Sequence, residues 1–129
     1  MNFFSQLTSE PSKAARWYAQ DANLSWSNYN KSGPHFTDTV TLLGKHSIYQ
    51  FFKTIPEYIY EILSYDTQTV ISGTAPDVTV LVVSGNAYPV ETDPSEPYNF
   101  QSSFFIQMAE IEKRAVISYH TMNVFREHI

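Results

Sequence analysis

Residues 58–125 form a succession of β-forming runs, and no other feature constrains the fold of this chain as much. The stretch Val78-Thr79-Val80-Leu81-Val82-Val83 has the β-branched content of a strand packed on a pleated surface. Strands are expected over 58–70, alternating loosely with a break at Asp66, and over 77–88, 98–108 and 114–125. Residues 89–97 read as an acidic hairpin tip carrying Glu91, Asp93 and Glu96, and 110–113 as a tighter connection.

The first half mixes helix and strand. Residues 2–7 read as the end of a short helix. Pro11 suits the first turn of a second helix over 11–19, with Ser9 or Glu10 as cap, which gathers Ala14, Ala15, Trp17 and Tyr18 near one side. A short strand is expected over 23–26, a polar loop over 28–34, and an alternating strand over 37–43 that Gly44 ends. Ile48, Phe51, Phe52 and Ile55 recur at helical spacing over 46–54, and Pro56 prevents continuation. Helices first and strands later define an α+β class: helices packed on a strongly bent antiparallel sheet. With 129 residues and no internal repeat, the chain reads as one domain over 1–129.

Side-chain alternation separates the two faces of the last strands. Tyr98, Phe100, Phe104, Ile106 and Met108 point one way, and Gln101, Ser103, Phe105 and Gln107 the other. In the final strand, strict alternation groups Ala115, Ile117, Tyr119 and Phe125 against Val116, Ser118, His120, Met122, Val124 and Arg126. The bulky apolar faces pack beneath the helices. The mixed faces are too apolar for solvent and too polar for an interior, which suits association with another protein. The residues expected to carry that contact are Gln101, Phe105, Gln107, His120, Met122 and Arg126. Phe105 and Met122 supply apolar area, at about 25 cal/mol per Å², and the glutamines supply hydrogen bonds.

Composition narrows the function. The chain has no cysteine, so disulfides and thiolate metal sites are excluded. Its net charge is −5 and its eight Lys and Arg are scattered, which argues against binding nucleic acid through phosphates. No segment approaches the roughly 20 apolar residues of a membrane span, and residues 1–7 lack a signal peptide's pattern. A soluble, intracellular protein with no membrane contact is expected. The four histidines show no metal spacing, and there is neither a glycine-rich phosphate loop nor a nucleophile elbow. No cofactor is expected.

Leu24-Ser25-Trp26, the segment from Gly44 through Lys45-His46-Ser47-Ile48 to Pro56, Thr79-Val80-Leu81-Val82-Val83-Ser84-Gly85, Phe100-Gln101-Ser102-Ser103-Phe104 and Val124-Phe125-Arg126 together resemble the nuclear transport factor 2 family, in that family's order. Phe3-Phe4 resembles the aromatic pair near the end of its first helix, which is shortened here. The resemblance implies a cone-shaped domain. Val80-Leu81-Val82-Val83 with Gly85, and Phe125-Arg126, are most similar to the small subunits that pair with mRNA export receptors of the TAP (nuclear export factor) type. This implies a non-enzymatic adaptor that heterodimerises through its sheet. It would support mRNA export through nuclear pores, moving between nucleus and cytoplasm and meeting nucleoporins through the complex. It further implies that Arg126 makes a salt bridge across the dimer, so that Arg126→Glu weakens the heterodimer without unfolding it.

Two other classes compete. A homodimeric carrier of Ran-GDP uses acids around a cavity mouth, one of them just after the strand tryptophan. Ser27 stands at that position, leaving Glu91 and Asp93 as the available acids. Cone-fold isomerases and dehydratases need a carboxylate or His beside an oxyanion donor. Asp21, Asp38 and His120 with Tyr18, Tyr58 or Tyr119 are the available groups, and their spacing forms no recognisable constellation. A dimerising scaffold domain is a further alternative.

Overall fold

The structure, a computed structural model, describes residues 3–29, 37–55, 58–71, 73, 77–89, 98–109 and 113–125. Helix α1 spans Phe3–Ser9 and α2 Pro11–Ala14, followed by a 3-10 turn, Ala15–Trp17. Strand β1 is Tyr18–Tyr29, β2 is Thr37–Leu43 and α3 is Lys45–Phe52. Four long strands complete the chain: β3 Tyr58–Val70, β4 Val78–Pro89, β5 Tyr98–Ala109 and β6 Arg114–Phe125. These four strands, β1 and β2 form a sheet in the order β2-β1-β6-β5-β4-β3. Every pairing is antiparallel except β1 with β6, so the sheet is mixed where a wholly antiparallel one was expected.

The helical segment expected over 11–19 is shorter, and Tyr18 and Ala19 already belong to β1. Alternation decides the matter: Ala22, Leu24 and Trp26 are buried while Asn23, Ser25 and Ser27 are only half-covered. The strand expected over 23–26 therefore grows to 12 residues. Strand β3 runs through Asp66 unbroken. Its irregularity falls between Ile62 and Ser64, where Leu63 is the extra residue. Gly85 lies opposite Ile62, and a Cβ there would overlap the Glu61 carbonyl, so only glycine permits this close approach. Gly44 joins β2 to α3 at φ 91°, a backbone region that glycine enters without steric cost, and its N–H donates to the Ala22 carbonyl at 2.8 Å.

The core lies between the helices and one face of the sheet. Phe3, Phe4 and Leu7 of α1, Ala14 and Ala15, and Ile48 and Phe52 of α3 pack on Tyr18, Trp26, Phe100, Phe104 and Val124. Phe3 meets Phe104 edge-on at 5.4 Å between ring centroids, and Phe4 meets Phe100 at 5.4 Å. Two side-chain bonds hold α1 in place. Trp17 Nε1 donates to Gln6 Oε1 at 2.8 Å, and Thr8 Oγ1 donates to the Tyr58 carbonyl at 2.6 Å. Among the described residues no helix is long and apolar enough to cross a membrane, and no group of three His, Cys, Asp or Glu side chains is placed to hold a metal.

Candidate protein-interaction face

The sheet face turned away from the helices is centred on two aromatic rings. Phe105 of β5 lies opposite Val80 on one side and Tyr119 on the other. The two rings are 5.6 Å apart, and Phe105 is 41% and Tyr119 39% exposed, large values for neighbouring aromatic side chains in mid-sheet. Val80 and Val82 continue the apolar stripe along β4, both half-buried. Most surrounding outward positions carry uncharged polar side chains, Gln101 and Ser103 on β5, Thr121 and Asn123 on β6, Ser25 and Ser27 on β1, while Asp66 of β3, opposite Val82, is an exposed acid at the margin. Several hydroxyls already bond one another across strands, Ser27 to Thr39 at 2.9 Å and Ser64 to Ser84 at 2.6 Å. A partner can therefore cover these groups with a smaller desolvation cost than isolated hydroxyls would impose. An apolar centre within a mostly neutral polar rim matches the anatomy of a protein interface.

Of the residues expected on this face, Gln101 and Phe105 are exposed there and Gln107 is half-buried there. His120 and Met122 are not there: both are fully buried on the core face. The cause is a bulge. Phe105 pairs with Tyr119 but Ile106 pairs with Ile117, so Ser118 is an extra residue in β6, and its hydroxyl donates to the Phe105 carbonyl at 3.1 Å. One extra residue inverts the alternation of all that follows. Tyr119, expected beneath the helices, turns outward, while His120, Met122 and Val124 turn in. Tyr119, Val80 and Val82 are thus members of the face that alternation alone missed. The signal was present further along: Thr121 and Asn123 interleave with Met122 and Val124, which already places the polar side chains outward. Arg126 and the acidic residues 91–96 lie outside the described residues.

The structure brings together two of the groups considered for catalysis, but inside the core. Tyr18 Oη lies 2.6 Å from His120 Nδ1, and His120 Nε2 lies 3.0 Å from Ser102 Oγ, which donates to Met122 Sδ at 3.1 Å. A thioether can only accept, which sets the direction of the whole chain. Ser102 gives its proton to sulfur, His120 donates from Nε2 to Ser102, and Nδ1 accepts from Tyr18. The imidazole is neutral and fully satisfied. It stacks on Phe104 at 4.0 Å, and burial lowers its pKa to about 3. Burial, reinforced by Tyr60, holds the Tyr18 phenol well above its ordinary value. Tyr58 is buried, Tyr119 faces the opposite side of the sheet, and Asp21 is exposed on β1.

A sheet of this order, covered on one face by short helices, has the nuclear transport factor 2-like fold. Comparison with solved structures places it among them: yeast Bre5, the Ubp3-associated protein, at TM-score 0.74 with 18% identity over 98% of this chain and 90% of that one. Nuclear transport factor 2 from Cryptosporidium parvum superposes at TM-score 0.71 with 14% identity over 95% of this chain and 86% of that one. The Mtr2–Mex67 M domain complex of C. albicans gives TM-score 0.69 with 14% identity over 98% and 90%. No family model and no curated protein matches the sequence.

Proposed function

We propose that this chain is a non-enzymatic adaptor whose outward sheet face pairs with a second domain of the same fold, in the first instance the matching domain of an mRNA export receptor. The observation that carries the reading is the Phe105–Tyr119 pair, flanked by Val80 and Val82 and ringed by mostly neutral polar side chains. Two large aromatics at the centre of such a face are the residue type that dominates interface energetics. The likeness to a chain of the Mtr2–Mex67 complex supports the choice of partner. On this reading the adaptor acts at the nuclear pore and in nucleus and cytoplasm, with the receptor contacting nucleoporins and cargo. The closed Tyr18–His120–Ser102 chain supports a structural rather than catalytic histidine, because no substrate reaches a side chain with no exposed surface.

A second reading rests on the likeness to Bre5, seen also in the yeast complex of the deubiquitinase Ubp3 with its cofactor Bre5, at TM-score 0.74 and 19% identity. It keeps the adaptor role and changes the partner to a deubiquitinase. Offering the purified chain an immobilised M domain of the Mex67 type and, separately, a Ubp3-type deubiquitinase segment distinguishes the two. Retention on the M domain alone is the expected result. Retention on the deubiquitinase segment alone would transfer the adaptor to the second reading, and retention on neither would remove both partners.

A further inference from the structure

On the helical side of the molecule, away from the aromatic pair, a groove of about 560 Å³ lies between the 3-10 turn and α3. Its walls include Ser12, Lys13, Arg16, Lys45, His46 and Tyr49. Three of the eight Lys and Arg of a chain with net charge −5 therefore converge on one depression, together with one of its four histidines. Further positive charge borders it. Lys53 Nζ lies 4.5 Å above the Tyr49 ring, and Arg114 Nη2 donates to the Arg16 carbonyl at 2.7 Å. Lys45 and His46 occupy the first turn of α3, where the helix macrodipole disfavours cations and no acidic residue offsets them. No acidic side chain is among the groove's lining residues, and Glu10, paired with Lys13, offsets only part of their positive charge, which raises the local potential and attracts an anion.

We propose that this groove recognises a phosphorylated segment of a partner protein. The residues lining the groove carry donors of the kind phosphate recognition uses: the guanidinium of Arg16, which lies 5.4 Å above the Trp17 ring, two ammonium groups, an imidazole and the hydroxyls of Ser12 and Tyr49. Doubly charged phosphate suits it better than a single carboxylate. Lys13 is already paired with Glu10 at 2.9 Å, so an incoming ligand competes with a carboxylate for that ammonium. A phosphoryl group, with close to two negative charges and three acceptor oxygens, does so more effectively. The groove's basic side chains are confined to α2, the 3-10 turn and the first turn of α3, and Glu10 pairs with one of them, which favours a short segment over nucleic acid, whose backbone demands an extended basic track.

Fluorescence anisotropy on the full chain tests this with three labelled probes: an acidic pentapeptide with a central phosphoserine, the same peptide with serine, and a short single-stranded RNA. The phosphoserine peptide is expected to bind at least about tenfold tighter than the serine peptide and to be displaced by inorganic phosphate. Arg16→Gln with Lys45→Gln is expected to weaken it by about tenfold or more while the thermal midpoint holds. Glu10→Gln, which releases Lys13, is expected to tighten it by about threefold. Equal affinity for the two peptides, no loss in the folded double variant, or RNA bound tighter than the phosphoserine peptide would each overturn the proposal. Were the double variant to misfold, Lys45→Gln alone and Glu10→Gln must still move affinity in opposite directions, and their failure to do so overturns it equally.

Discussion

His120 shows how one side chain's neighbours decide its role. In the folded chain its pKa lies near 3, and in the unfolded chain near the ordinary 6.5. Between those values the unfolded state binds a proton that the folded state does not. This contribution to stability is therefore complete above pH 6.5 and is lost as pH falls, at about 1.4 kcal/mol per pH unit within that window. Urea unfolding of the wild type and His120→Gln from pH 7 to pH 4 should show a steeper acid loss in the wild type. Tyr18→Phe removes the donor to Nδ1 and leaves a buried nitrogen unpaired, a cost of about 1–3 kcal/mol in the same assay. Tyr60 tests the converse. Its buried hydroxyl has no hydrogen-bond partner among the described residues, so Tyr60→Phe should leave stability unchanged or raise it.

The elements were legible where local chemistry decides them. The bounds of β2, β3 and β6 follow from alternation and punctuation, and α3 follows from its apolar spacing and Pro56. What alternation could not supply was the register shifts, at Leu63, at Ser118 and between Tyr18 and Asn23 of β1, because a bulge is set by how two strands meet and not by either strand's composition. The error at Ser118 moved two expected interface residues into the core and hid Tyr119, whereas alternation placed Phe105 and Gln101, on a strand without an extra residue, on the outward face where they lie. The start of β1 at Tyr18 was likewise hidden, since its pairing partner Ile117 lies far along the chain. The bulge at Leu63 makes its own prediction. Gly85→Ala drives a methyl group into the Glu61 carbonyl across the ladder and should lower the urea unfolding free energy by about 1–3 kcal/mol. An unchanged midpoint would mean that β3 and β4 do not approach as closely as the structure has them.

At the scale of the whole molecule the two faces of the sheet differ in what covers them. One is closed by helices over an aromatic core that contains the satisfied Tyr18–His120–Ser102 chain. The other is open among the described residues, with Phe105 and Tyr119 exposed at its centre. The central claim is that a second domain of the same fold covers this open face. Size-exclusion chromatography with light scattering, on the wild type and on Phe105→Asp, each mixed with a Mex67-type M domain, tests it most directly. The wild type should elute with that domain as a one-to-one complex. Phe105→Asp, with an unchanged circular dichroism spectrum, should elute apart from it. Complex formation by the aspartate variant as strong as by the wild type would contradict the claim, and so would a wild type that stays monomeric in the presence of the M domain.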